Sequence, residues 1–226
     1  MENLRSKLSM LNGETSSLDV QKTFKEISKE LFKNYHIMRG TQEYYFINIE
    51  FYFCNKNHLD LITYPRQTKE GLWFFHQSGV DLTFRSDYST YNGNQLAIDT
   101  NKDFYFGGIL VREIMKKNND EVFDGPFKCE WELFDKFNAF TPTIHEMPII
   151  VHNTNEIAIE PIASSRHFSY ANDADKIRKK FEELKKDCFC TGNLPLSLDS
   201  FSDFIREKEY AYKIKKDDLK SKLTSK

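Results

Sequence analysis

From Leu18 to about Tyr35 the apolar positions Val20, Phe24, Ile27, Leu31 and Phe32 recur at helical spacing, which predicts an amphipathic helix with Ser17 placed to cap its start. Residues 1–16 before it are polar and read as a flexible, frayed segment. From Glu43 to about Val111 the period changes to two, in the blocks "YYFINIEFYF", "GLWFFHQSGVDLTF" and "FYFGGILVREI", with turn-rich stretches such as "YNGN" and "DTNKD" between them. Alternation in "INIEFYF" sets Ile47, Ile49, Phe51 and Phe53 on one face and Asn48, Glu50 and Tyr52 on the other. These blocks predict a mainly antiparallel sheet.

Beyond the sheet, "DGPFKCEWELFDKF" opens on Gly-Pro punctuation and turns helical, with Phe127, Trp131, Leu133 and Phe134 as expected core contacts. "MPIIVH" and "EIAIEPI" predict two more strands, and "DADKIRKKFEELKKD" predicts a charged helix with Asp173 near its start. Residues 198–213 suggest another helix, and residues 214–226 a charged tail too polar to order itself. The expected architecture is α+β: one domain over residues 17–213, a curved, mainly antiparallel sheet with flanking helices.

Composition narrows the partners. With 226 residues and 39% hydrophobic content the chain can bury one adequate core. A formal net charge of -2 gives no global field that would attract nucleic acid or a membrane surface, so any such contact must come from a local patch. No apolar run is long enough to span a bilayer and the opening "MENLRSKLSM" lacks a leader pattern, so the expectation is a cytoplasmic protein without a membrane partner. Cys54, Cys129, Cys188 and Cys190 include a "CFC" pair whose gap is wrong for a zinc knuckle, so reduced thiols and no metal are expected. The 20 Phe and 11 Tyr favour sheet and leave aromatic faces for packing or for stacking a ligand.

Two charged residues interrupt greasy strands. Glu50 lies between an amide and a phenol, and Arg112 shares a face with Gly108 and Leu110 at the end of "GGILVRE". Paired glycines let another backbone or a flat ligand come close. A cross-strand ion pair and a functional site both account for the two charges.

In order and rough spacing, "EFY" after an apolar strand, "GLWFFHQSGVDLTF", "GGILVRE" and "DGPFK" resemble four blocks of the alkyladenine (3-methyladenine) DNA glycosylase family, over about residues 43–135. The resemblance implies that Glu50 is the catalytic carboxylate that activates water, that Arg112 helps hold that water, and that Tyr52 and Phe75 stack on the two faces of an extruded base. Such chemistry suits hydrolysis of an N-glycosidic bond: the base takes a proton from water while its charge favours an oxocarbenium-like sugar. The family's histidine beside the base falls on Tyr64, or on His58 if the gap is placed differently. Its wedge tyrosine, which fills the gap left by the flipped nucleotide, is replaced by Ser78, and its Thr-x-Arg-Asn segment has no counterpart in "YPRQTKEG". A serine cannot fill an opened stack, so the resemblance implies unpaired or single-stranded bases in DNA, or a free nucleoside or nucleotide, in place of intact duplex. It calls for no cofactor. The alternative is a non-enzymatic module that recognises a nucleotide or a protein partner on the same scaffold.

Other polar residues have plainer readings beside functional ones. His76 in an aromatic strand and Asp81 after Gly79 are candidates for a ligand's polar edge, with core or turn hydrogen bonding as the alternative. His58 and Asp60 form a metal-like pair without a third ligand, which favours a loop hydrogen bond. His145, His152 and His167 have no partners legible in the sequence, and Arg166 in "SSRHF" suits a phosphate or a strand cap. Lys176, Arg178, Lys179 and Lys180 precede Glu182 and Glu183, the pattern of a solvated helix.

Overall fold

A computed structural model describes residues 2–87, 91–92, 95–96, 104–134, 140, 147–187 and 197–224. Its elements run α1 (Glu2–Leu8), α2 (Ser17–Asn34), β1 (Tyr35–Arg39), β2 (Gln42–Asn55), β3 (His58–Leu59), β4 (Trp73–His76), β5 (Gly79–Thr83), β6 (Tyr91–Asn92) and β7 (Gln95–Leu96). They continue with β8 (Tyr105–Lys116), β9 (Val122–Asp124), α3 (Pro126–Phe134), β10 (Ile149–His152), β11 (Ile162–Ser164), α4 (Ala174–Asp187), α5 (Leu198–Arg206), β12 (Ala211–Lys213) and α6 (Lys216–Thr224). The chain is a single α+β domain, one curled antiparallel sheet with flanking helices. "DTNKD", His145 and the Cys188 and Cys190 pair lie outside the described residues.

The sheet follows the order β10-β1-β2-β8-β5-β4, with β12 and β3 joining β2 and β9 joining β8. Its spine is the long antiparallel pair β2 and β8, in which Glu50 stands opposite Leu110 and Tyr52 opposite Gly108. Because the side-chain period is two, one face carries Ile47, Ile49, Phe51 and Phe53 together with Ile109 and Val111, all buried in the main core. The ladder shifts register on either side of Asn48, an irregularity of the bulge type. Before the shift, Tyr44, Tyr45 and Phe46 are all buried, so both faces of the sheet are covered there.

Helix α2 packs on this core through Val20, Phe24, Ile27, Leu31 and Phe32. Its cap is Ser16 in place of the expected Ser17: Ser16 Oγ accepts from the Asp19 amide at 3.2 Å and donates to Asp19 Oδ2 at 2.6 Å. The carboxylate three residues on favours the earlier cap, because it completes a reciprocal capping arrangement.

Both ends of the chain depart from expectation. Residues 2–8 form a helix whose Leu4 and Leu8, followed by Leu11, enter the main core. The charged end forms α6, anchored by the fully buried Leu219 and by Lys216, 2.6 Å from Glu113. A few leucines among many charges fall below the level that composition detects, yet each seals a core edge. Within α3, Cys129, Leu133 and Phe134 are buried while Phe127 and Trp131 are exposed, so the expected four-residue core stripe is corrected to one face. The strand expected at "EIAIEPI" contracts to β11. Ile157 instead donates its amide to the Lys33 carbonyl, and Ile159 to that of Ile157, which takes the segment out of the ladder. The helix expected over residues 198–213 ends at Arg206, and the chain returns as β12 beside β2.

Candidate functional site

The face of the sheet opposite the main core carries the polar candidates. One register row runs Phe74, Asp81, Leu110, Glu50, Ala211 across four strand pairings, and the next joins Thr83, Gly108 and Tyr52. A cavity of about 250 Å³ opens on this face, lined by Tyr52, Tyr64, Arg66, His76, Ser78 and Asp81, with Phe168, Tyr170 and Lys180 on the covering side. Four expected ligand contacts, Tyr52, Tyr64, His76 and Asp81, thus converge. Phe75 does not: adjacent strand residues point to opposite faces, so the alternation that brings His76 to the cavity turns Phe75 away. Phe75 instead packs edge-on against Phe134, with ring centroids 4.8 Å apart, and is half exposed.

Glu50 is only 1% exposed. Its Oε2 accepts from the Tyr52 hydroxyl at 2.8 Å, its Oε1 accepts from the His167 amide at 2.9 Å, and Arg112 Nε stands 3.5 Å from Oε1. The carboxylate is therefore paired and hydrogen-bonded, the condition under which a charge survives desolvation. Burial first, and then the Glu50 charge, raise the Tyr52 phenol well above its ordinary pKa, so it stays a donor. Glu50 and Arg112 do meet as the sequence suggested, but neither lines the cavity; Tyr52 stands between it and the carboxylate.

Arg166 was legible only as a phosphate ligand or a strand cap, and it is neither. Its guanidinium is fully buried, 2.6 and 3.1 Å from the two Asp60 oxygens, and donates to the Phe51 and Phe204 carbonyls. It also lies over the Tyr52 ring at 4.5 Å. Burial opposes its charge, but Asp60, Tyr52 and Glu50 outweigh burial and raise its pKa. The segment that follows supplies Phe168 and Tyr170 to the cavity, so this buried pair ties one wall of the cavity to the sheet. His58 and Asp60 have separate partners: Ser17 Oγ is 2.8 Å from His58 Nδ1, while Asp60 holds Arg166. Among the described residues no three His, Cys, Asp or Glu side chains cluster as a metal would need.

A second ion pair sits at the cavity's buried end. Arg66 Nη2 is 2.7 Å from Asp81 Oδ2, His76 Nε2 is 3.0 Å from Asp81 Oδ1, and Ser78 donates its amide to His76 Nδ1 at 3.2 Å. Tyr64 stacks on His76 with centroids 4.4 Å apart, and its hydroxyl is 3.1 Å from Ser78 Oγ. The space over Gly108, where a flat ligand was conceivable, is taken by Arg66: a Cβ there would lie 2.8 Å from Nη1. Arg66 was missed because "TYPRQ" reads as a loop, and no local pattern reveals that its arginine folds back under a strand. The expected solvated helix is α4, where Lys176 pairs with Asp173 at 3.1 Å and Arg178 and Lys179 are exposed; Lys180 alone of that group lines the cavity. Of the remaining histidines, His152 Nδ1 lies 2.7 Å from the Asn153 carbonyl, and His167 serves through its backbone.

Another cavity, of about 290 Å³, lies beside Ser17, His58, Ser200 and Phe204. Of the charges lining it, Lys56 is paired with Glu14, Asp203 and Lys208 are of opposite sign, and His58 leaves its buried Nε2 without a hydrogen-bond partner.

Fold and site together define a single-domain α+β protein with a small, aromatic-walled cavity on one face of a curled sheet. No family model matches the chain, and no solved structure matches it. It is similar to Uncharacterized protein L759 of Acanthamoeba polyphaga mimivirus, with 22% identity over 217 residues that span 89% of this chain and 90% of that protein. No helix among the described residues is long and apolar enough to cross a membrane.

Proposed function

We propose that this protein is a binding module whose cavity takes one flat ring of nucleobase size. The observation that carries the reading is the convergence of Tyr52, Tyr64, Phe168 and Tyr170 with the polar edge of His76, Ser78 and Asp81 on one space of about 250 Å³. Aromatic walls with a few fixed polar groups are the usual make-up of a small-ligand site. A ring slid against Tyr64 gains stacking, while the ion pairs behind hold the walls in place.

A second reading is hydrolysis of an N-glycosidic bond with Glu50 as general base, favoured by the 3.5 Å approach of Arg112 and by the resemblance in the strand blocks. Against it stands the occupied state of Glu50. A general base must reach its proton directly or through one water, whereas both Glu50 oxygens already accept hydrogen bonds and the carboxylate is out of contact with the cavity.

The test titrates the full chain with adenine, hypoxanthine, uracil and their nucleosides by NMR, and in parallel assays base release from a single-stranded oligonucleotide carrying hypoxanthine. Saturable binding is expected, weakened by Tyr64→Ala by about 1–3 kcal/mol, without base release. Base release that disappears in Glu50→Gln would establish the second reading in its place. Absence of any saturable binding overturns the first.

A further inference from the structure

The hydrogen-bond capacity left over in the cavity has a sign. Asp81 is engaged on both oxygens, one facing His76 and the other paired with Arg66. Because His76 Nδ1 accepts the Ser78 amide, its ring hydrogen sits on Nε2 and points at Asp81, so His76 has nothing left to offer. The Tyr52 hydroxyl is committed to Glu50. What remains is donor-rich. Arg66 is 3% exposed and pairs with Asp81 through Nη2 at 2.7 Å, while its Nη1 has no hydrogen-bond partner. Lys180, on the covering side of the lining, has only a loose contact of 3.6 Å with Glu183 on its own helix, both side chains partly exposed. The lining therefore holds one cation without a close carboxylate, Lys180, and an unpartnered donor on the paired Arg66, with no unpaired carboxylate.

Resting on the ring-binding reading, we infer that the ligand is an anion: a flat ring carrying a carboxylate or phosphate group, with Lys180 as the residue that selects it. A ring between Tyr64 and the Phe168 and Tyr170 wall leaves a substituent on the covering side, where the Lys180 ammonium meets it. Lys180 belongs to α4, next to Phe181, which packs in the α4 and α5 cluster, so its backbone is held at the cavity wall.

The experiment compares matched pairs on the full chain at low salt: nicotinate against nicotinamide and orotate against uracil for the carboxylate arm, and adenosine monophosphate against adenosine for the phosphate arm. The charged member of at least one arm is expected to bind about three- to tenfold tighter, the worth of an accessible ion pair. The arm that shows the preference identifies the source of the anion. In Lys180→Gln, which keeps the length of most of the side chain and a polar end, the gap should close, and 0.5 M salt should narrow it in the parent chain. Equal affinity within every pair, or a preference that survives Lys180→Gln, overturns the inference while leaving ring binding in place. Failure of every compound to bind removes both.

Discussion

His58 is a neutral imidazole enclosed by Phe24, Phe53, Phe204 and Tyr210, and burial pushes its pKa down from 6.5 to about 4. The unfolded chain then binds a proton that the folded one refuses throughout the interval between those values. Its contribution to stability is fully present above about pH 6.5 and is lost as the pH falls toward 4, to a total of about 3 kcal/mol. Urea unfolding at pH 7.5 and pH 4.5 should show a larger loss for the parent chain than for His58→Phe, which has no such proton to bind. Equal losses in the two proteins would place the acid sensitivity elsewhere. Glu50, the other conspicuous buried polar residue, illustrates how far a residue's type informs on its role: a lone carboxylate in "INIEFYF" required partners, and it has Tyr52, His167 and Arg112. Tyr52 and Arg112 were readable by strand alternation. His167 was not, since its contribution is a backbone amide brought from 117 residues away.

Strand β8 meets its neighbours at two glycines for two different reasons. At Gly107 an added Cβ would lie 2.2 Å from the Tyr52 carbonyl oxygen and 2.9 Å from Phe53 Cα, both backbone atoms of the paired strand. At Gly108 it would meet the Arg66 Nη1 end of a flexible side chain, with Asp81 Cβ at 3.0 Å. Backbone cannot give way without breaking the β2 and β8 ladder, whereas a guanidinium can shift. Gly107→Ala should therefore cost about 3 kcal/mol or more and Gly108→Ala about 1–2 kcal/mol, measured by denaturant midpoint. The reverse order would show that the Arg66 and Asp81 pair is the stiffer obstacle. The glycine pair was recognisable as a place of close approach; that the approaching groups are the protein's own strand and its own arginine was not.

Among the described residues, two apolar clusters of unequal size stand out. The main core joins α1, α2, α3 and α6 to the sheet and takes Phe204 from α5, while a smaller cluster of Leu61, Ile177, Phe181, Phe201 and Ile205 joins α4 and α5 to the covering side of the cavity. Free energies of local opening track buried apolar contact, so the α4 and α5 layer should open before the sheet. Native-state hydrogen exchange in low urea is expected to show α4 and α5 amides exchanging through a sub-global opening, with the amides of β2 and β8 exchanging only at the global unfolding free energy. A single opening energy for both sets would mean that the buried Arg166 and Asp60 pair makes the two layers cooperative. Because Phe168, Tyr170 and Lys180 belong to the weaker layer, a ligand that fills the cavity should also raise the protection of α4.

Alternation and helical spacing were enough to determine the α+β class, the long β2 strand with its core face, and the helices α2 and α4, and to single out Glu50 and Arg112 as charges in need of partners, because all of these follow from the period of apolar residues. Only the tertiary structure decided that His76 and not Phe75 faces the cavity, that Arg66 and Arg166 fold back from irregular segments to neutralise Asp81 and Asp60, that β2 pairs with β8 so that Glu50 meets Arg112, and that single leucines recruit both ends of the chain into the core. The division has a physical cause. Periodicity is written in neighbouring residues, but a buried ion pair is a contract between distant segments, stable only once water has been excluded from the space between them.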